Sequence, residues 1–210
     1  MNIKPLHAIA LLLYLMLALI PLSAGDKTNV LFIAVDDLRL QAPFFGQEQM
    51  KTPGLQRLAV DSIVFSRAYC SVPVCGASRA SLMSGVRPAA DRFFHYYARK
   101  DKDLPNVPSV AKWFKENGYT TLSNGKIYHF VDDDIDAWSE EPYLPDHNGV
   151  GWQCYLKDAS KAMIEANRSK ENPDLVIGPA TEDADVPDTG YPDGLLAEKV
   201  IADLHRFAKS

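Results

Sequence analysis

Apolar residues follow two different patterns along this chain, one typical of strands and the other of helices. Residues 29–35 form a continuous apolar run rich in branched side chains, which predicts a strand buried on both faces of a parallel or mixed sheet. Residues 63–65 and 119–123 predict two further short strands. Because these segments alternate with helical ones, we expect an α/β fold.

Four segments carry helical signals. One helix opens at Thr52-Pro53, and another covers residues 78–83, with Cys75 just before its first turn. A third covers residues 106–117 and stops at Gly118, and the last covers residues 195–209. Between these elements, residues 132–146 and 171–193 are rich in acids and prolines, which predicts two long, solvated surface loops.

Residues 1–25 have the order of a secretory signal peptide. Lys4 gives a positive start, residues 8–20 are apolar, and small residues lead to Gly25. The apolar run is shorter than the roughly 20 residues of a membrane-spanning helix. We therefore expect cleavage, no stable membrane span, and a secreted or periplasmic protein (lysosomal in a eukaryote) made of residues 26–210.

Composition excludes several classes of protein. The chain has 210 residues, of which 47% are apolar and 23% charged, and these values exclude disordered, collagen-like and coiled-coil proteins. The net charge is -5 and no dense block of Lys and Arg is present, so we expect no nucleic-acid partner.

The three cysteines are Cys70, Cys75 and Cys154. An odd number in an exported chain leaves at least one thiol for another role. Cys70 could pair with Cys154 or with Cys75, and the sequence leaves this pairing open. No spacing of Cys and His is typical of a zinc site.

Two clusters carry candidate chemistry. Asp36 and Asp37 follow the first predicted strand, at the edge where open α/β sheets hold their ligands. A divalent cation such as Ca²⁺ or Mg²⁺ would relieve the repulsion between them, and a turn or helix cap is the structural alternative. Cys75 precedes a predicted helix, and Arg79 follows one turn later. Both the helix dipole and the arginine favour a thiolate, whereas a buried structural thiol is the alternative.

The segment from Cys75 to Arg79, Cys-Gly-Ala-Ser-Arg, followed by Leu-Met-Ser-Gly at residues 82–85, resembles the signature of the formylglycine-dependent sulfatases. In that family the cysteine is oxidised to an aldehyde. The resemblance continues through residues 29–39 and 118–129, and the spacing from Lys126 to His129 is that of the iduronate-sulfatase branch. It implies the N-terminal part of an alkaline-phosphatase-like fold, in which helices flank a mixed sheet that is incomplete here.

The resemblance also implies an activity, which is the removal of sulfate from a sulfated sugar or polysaccharide such as a glycosaminoglycan. Asp36, Asp37 and the modified Cys75 would bind one Ca²⁺ ion, and the hydrated formylglycine at Cys75 would be the nucleophile. Arg79 would hold the diol, Lys126 would bind the sulfate, and His129 would act as its hydrogen-bond partner or base. A formylglycine-generating maturation enzyme is an implied partner.

Some residues depart from the family pattern. Ala77 stands where proline is more usual, and Asn124 replaces a small or apolar residue. The ligands that the family takes from later in its chain are not identifiable, and Asp146-His147 follows Lys126 too closely to supply them. We therefore expect residues 1–210 alone to have little sulfatase activity. The alternatives are a phosphate or phosphonate ester hydrolase of the same superfamily, and a non-catalytic, truncated secreted protein or sulfated-glycan binder.

Overall fold

The computed structural model describes residues 27–145, 154–168 and 177–208. The predicted signal peptide and the Asp146-His147 pair lie outside these described residues. The chain divides into two compact units, Met1–Ile33 and Ala34–Ser210. In the first unit the described residues, 27–33, form neither helix nor strand. Every candidate site residue belongs to the second unit.

Helices dominate the described part of the second unit. Its α-helices are α1 (Pro53–Val60), α2 (Cys75–Ser84), α3 (Lys100–Asp103), α4 (Val110–Glu116), α5 (Asp158–Asn167) and α6 (Pro192–Phe207), and its short 3₁₀ helices are Pro43–Phe45, Ile135–Ala137 and Asp188–Gly190.

Local signals explain where these helices begin and end. A proline starts α1 and another starts α6, as expected for the first helical position. The hydroxyl of Ser109 accepts the backbone N–H of Lys112 at 3.1 Å, so α4 begins at Val110, later than predicted. Helix α2 begins at Cys75 itself, so the cysteine lies within the first turn and not before it.

The predicted sheet is not confirmed, because the described residues at 29–35, 63–65 and 119–123 form no strand. Only two isolated bridges occur in the described part of the chain, joining Ala89 to Arg92 and Asn124 to Tyr143. A strand needs a hydrogen-bonded neighbour and a covered face, and an unpaired one is not stable in water. Val35 and Ile63 lack the covered face, since they are 57% and 82% exposed.

Helix α2 contributes to two apolar clusters, one near each end. Near its start, Ala77 and Ala80 pack with Phe93 and Ala98. Near its end, Met83 packs with other buried side chains, which are Ala111, Tyr128, Ala137 and Trp138. These clusters fix the helix that carries Cys75 against the segment that carries His129.

The first acidic region is only partly solvated, contrary to our expectation, because two of its carboxylates are buried. Asp133 and Asp134 are only 1% and 6% exposed. The carboxylate of Asp133 accepts the backbone N–H groups of Lys100 and Asp101, each at 2.9 Å, at the start of α3. Burial raises the pKa of Asp133 to about 6, although these hydrogen bonds oppose the shift.

In the second acidic region, Glu182 accepts the backbone N–H groups of Leu156 and Lys157 just before α5.

Helix α6 packs against the chain just before Lys126. The side-chain amide of Asn124 donates to Asp203 at 2.9 Å. A Cβ on Gly125 would lie 2.6 Å from a methyl carbon of Leu196, and the φ of Gly125 is +75°. Both the close approach and the left-handed backbone therefore require glycine at this position.

No helix in the described ranges is long and apolar enough to cross a membrane.

Two glycines allow a matched test of packing at the start of α2. Gly76 and Gly54 are each the second residue of a helix. A Cβ on Gly76 would lie 1.9 Å from the carbonyl oxygen of Tyr96, whereas one on Gly54 would meet nothing within 4 Å. We predict that Gly76→Ala lowers the free energy of unfolding by about 1–3 kcal/mol because backbone must move. Gly54→Ala should raise it by about 0.4–1 kcal/mol because alanine restricts the unfolded chain.

Urea unfolding of the two variants measures both changes. Shifts of the same sign would contradict the close approach of Tyr96 to helix α2.

Candidate active site

Cys75 and Arg79 lie one turn apart at the start of α2, so they share one face of the helix. The preceding residue, Val74, is extended, and the chain turns directly into the helix at Cys75. The Cys75 side chain is half-buried. It therefore lies at the positive end of the helix dipole while still open to solvent.

The guanidinium of Arg79 connects α2 to two distant segments. Its Nη1 donates to the carbonyl oxygens of Lys126 and Ile127 at 2.5 and 2.9 Å. Its Nη2 donates to Oδ1 of Asp36 at 2.9 Å. Arg79 is only 9% exposed, so these contacts compensate for the burial of its charge. Its main role in this structure is to hold the Lys126 segment and Asp36 against the helix.

Lys126 contacts the other oxygen of the same carboxylate. Its Nζ donates to Oδ2 of Asp36 at 2.5 Å, and its side chain is 39% exposed. Partial burial raises the pKa of Asp36, but Lys126 and Arg79 lower it by more, so that pKa lies below its usual value. Asp36 is therefore ionised at neutral pH and balances one of two nearby positive charges.

His129 completes the group. Its Nδ1 lies 3.1 Å from Sγ of Cys75, and the ring of Tyr96 meets its ring edge-on with centroids 5.7 Å apart. Partial burial and the charges of Lys126 and Arg79 lower the pKa of His129, and Asp36 opposes this shift. The imidazole is therefore neutral at pH 7 and is able to accept a proton from an atom at the Cys75 position.

The structure brings together five of the six predicted site residues, which are Asp36, Cys75, Arg79, Lys126 and His129. Asp37 has a left-handed backbone with φ of +51° and makes no hydrogen bond or ion pair with those five. The arrangement contains one buried cation (Arg79), one partly exposed cation (Lys126), one carboxylate, and a thiol beside a neutral imidazole. Such a group suits an anionic substrate and a nucleophile at position 75.

The described residues do not by themselves fit a calcium ion. Ca²⁺ takes six to eight oxygen ligands, whereas both oxygens of Asp36 already accept hydrogen bonds from cations. Within the part of the chain that the structure describes, no three residues of the types His, Cys, Asp and Glu form a group that could hold a metal. Metal binding by Asp36, Asp37 and Cys75 therefore stays a prediction.

Comparison with known proteins decides the family. The family model described as Sulfatase matches residues 28–196. The chain belongs to the sulfatase family.

Several sulfatases align with large parts of this chain. It is 30% identical to iduronate 2-sulfatase of Mus musculus over 194 residues, which is 90% of this chain and 33% of the mouse protein. It is 36% identical to iduronate 2-sulfatase of Homo sapiens over 129 residues, 59% of this chain and 24% of the human protein. It is also 36% identical to a sulfatase of Formosa agariphila over 111 residues, 50% of this chain and 22% of that protein. The chain thus spans a third or less of these relatives.

All three cysteines of this sulfatase segment are free thiols. The disulfide that could have joined Cys70 to Cys154 or Cys75 is not formed. Cys70 is exposed and Cys75 half-buried, so both thiols keep some access to solvent.

Sequence reasoning missed two residues that shape the candidate site. Tyr96 contacts the ring of His129, and nothing in its local pattern indicates this because the contact joins distant segments. Asn124 was noted only as a departure from the family, yet its amide ties the residues before Lys126 to α6. A polar residue in an otherwise apolar position was the available signal.

Two variants should shift the pKa of His129 in opposite directions. Lys126→Met removes a positive charge and should raise the pKa of His129 towards its usual value of 6.5. Asp36→Asn removes a negative charge and should lower the same pKa further. An NMR titration of the imidazole measures both shifts.

Lys161→Met, which removes a lysine that does not contribute to the pKa of His129, is the matched control and should leave the titration unchanged. If Lys126→Met gave the same curve as the wild type, the two groups would not be neighbours in solution.

Proposed function

We propose that this chain is the N-terminal catalytic part of a sulfuric ester hydrolase that removes sulfate from a sulfated sugar or polysaccharide. The observation that carries the proposal is the 3.1 Å approach of His129 Nδ1 to Cys75 Sγ, beside the cations of Arg79 and Lys126. A nucleophile, a base and positive charge for an anion are the parts that sulfate transfer needs. Membership of the sulfatase family supports the same reaction.

The modified form of Cys75 supplies the nucleophile. Once the cysteine is oxidised to formylglycine and hydrated, one hydroxyl attacks sulfur, the S–O bond to the sugar breaks, and the sugar leaves as an alcohol with the proton of the attacking hydroxyl. Deprotonation of the second hydroxyl then re-forms the aldehyde and releases the sulfate. His129 is placed to take these protons, because an oxygen at the position of Sγ lies within hydrogen-bond reach of Nδ1. Its lowered pKa keeps the ring neutral and therefore basic at pH 7.

The two cations have different tasks. Lys126 is partly exposed and binds the sulfate group as a point charge, exchanging its contact with Asp36 for one with the substrate. Arg79 is buried and donates to backbone carbonyls, so it holds the Lys126 segment in place and adds a fixed positive charge. Since the described residues do not themselves fit Ca²⁺, no step is assigned to a metal.

A sugar substrate is supported by the relatives. Two of them are named for iduronate, a sugar acid, and the chain aligns with the mouse protein over 90% of its own length. Residues 1–25 support an exported location, and a formylglycine-generating enzyme is the partner that the chemistry requires.

Two other functions would use the same residues. A phosphate or phosphonate ester is also a tetrahedral anion that Lys126 could bind, so phosphate ester hydrolysis is the second candidate. A non-catalytic binder of sulfated glycans is the third candidate, because the partly exposed Lys126 could hold a sulfate group without any turnover.

One prediction of the proposed function concerns the modification of Cys75. The protein is produced with and without a formylglycine-generating enzyme, and the tryptic peptide of residues 68–79 is sequenced by mass spectrometry. We expect Cys75 to lose two hydrogens and its sulfur and to gain one oxygen only when the enzyme is present. Cys70 lies in the same peptide and is the internal control, since it should keep its thiol. An unmodified Cys75 under both conditions would contradict the proposed nucleophile.

Another prediction of the proposed function concerns turnover, measured in a full-length sulfatase domain that contains this segment. Cys75→Ala should lower the release of sulfate from a sulfated saccharide by about 10⁴-fold or more, because the nucleophile is lost. Cys70→Ala should retain activity.

Comparing the sulfate and phosphate esters of one alcohol separates the first two candidate functions, and faster hydrolysis of the phosphate would favour the second.

A further inference from the structure

A buried polar cluster adjoins the site and takes no part in the chemistry proposed above. We define the Lys100 cluster as Lys100, Tyr128 and Asp134, whose exposed fractions are 3%, 4% and 6%. Nζ of Lys100 donates to Oδ1 of Asp134 at 2.9 Å, and the hydroxyl of Tyr128 donates to Oδ2 at 3.0 Å. Each carboxylate oxygen of Asp134 is therefore bound by a buried donor.

The contacts of the Lys100 cluster restrain Asp134. Buried charges are unfavourable unless opposite charge and hydrogen bonds compensate, so moving Asp134 would leave Lys100 as an unpaired ammonium. Asp133 restrains the same turn, because its carboxylate accepts the backbone N–H groups of Lys100 and Asp101 at 2.9 Å. The hydroxyl of Tyr128 therefore has a fixed partner at a fixed place.

Tyr128 connects this cluster to the site through the backbone. It immediately precedes His129, and it packs with Met83, near the end of α2, and with Trp138. His129 contacts Cys75, at the start of the same helix. The consecutive residues Tyr128 and His129 thus contact α2 near its two ends. Because they share one peptide bond, the direction of the Tyr128 side chain constrains that of His129.

We propose that Asp134 and Tyr128 are positioning residues, which hold Nδ1 of His129 against the side chain at position 75. The link runs from Lys100 to the carboxylate of Asp134, to the hydroxyl of Tyr128, and through one peptide bond to His129. Its importance for catalysis rests on the proposed function, whereas its effect on the contact between His129 and Cys75 does not.

Tyr128→Phe is the direct test, because it removes one hydroxyl and leaves the ion pair of Lys100 and Asp134 in place. The readout is the nuclear Overhauser effect between the ring protons of His129 and the Cys75 Hβ protons in the 210-residue chain. We expect this signal to fall severalfold in the variant while circular dichroism shows unchanged helix content.

Tyr191→Phe is the matched control. The hydroxyl of Tyr191 donates to the carboxylate of Glu182 at 2.8 Å, so this variant loses the same kind of hydrogen bond at a place that does not contact the site. A signal lost only in Tyr128→Phe supports the proposal. A signal retained in Tyr128→Phe, lost equally in both variants, or absent from the wild type would overturn it.

A kinetic measurement separates this proposal from the proposed function. In a full-length sulfatase domain that contains the segment, Tyr128→Phe should lower kcat by about 10-fold to 100-fold with KM unchanged, because the base is misplaced while the substrate contacts remain. If the Overhauser effect is lost as expected but no sulfate ester is hydrolysed even by the wild type, the positioning role stands and the proposed function falls.

Discussion

The buried guanidinium of Arg79 is the interaction on which the rest of the site depends. A charge that is 9% exposed must be fully paired, and here the partners are two backbone carbonyls and the carboxylate of Asp36. The planar fork of arginine has five N–H donors in a fixed arrangement, which lets one side chain bind three acceptors from two distant segments. Because Arg79 lies one turn after Cys75, the same interaction sets the distance from Cys75 to Lys126 and His129.

The members of the site could be predicted from sequence, but not their pairing. Asp36, Cys75, Arg79, Lys126 and His129 stand out because their residue types and order are those of a known family. Their contacts join residues far apart in the chain, and no local pattern encodes them. The structure therefore adds the contacts between these residues. Asp36 pairs with both cations, and Arg79 also donates hydrogen bonds to the backbone carbonyls of Lys126 and Ile127.

The same division holds for the fold. Helices α1, α4 and α6 were foreseen because apolar residues at helical spacing, Pro53 and Gly118 are local signals. Ser109 and Pro192, which set where α4 and α6 begin, were missed. The strands were not confirmed, since a strand depends on neighbours that a local pattern does not supply. The burial of Asp133 and Asp134 was missed for a related reason. Lys100, which compensates one of them, lies 34 residues earlier in the chain.

The sequence separation of the site contacts determines when the site forms during folding. Lys126 and Asp36 are 90 residues apart, and His129 and Cys75 are 54 apart, whereas each helix closes through neighbouring residues. Contacts between distant residues require the entropy of a long loop to be lost first, so they form late. The helices therefore assemble before the site. Local opening of the folded chain would release the site while helical structure remains.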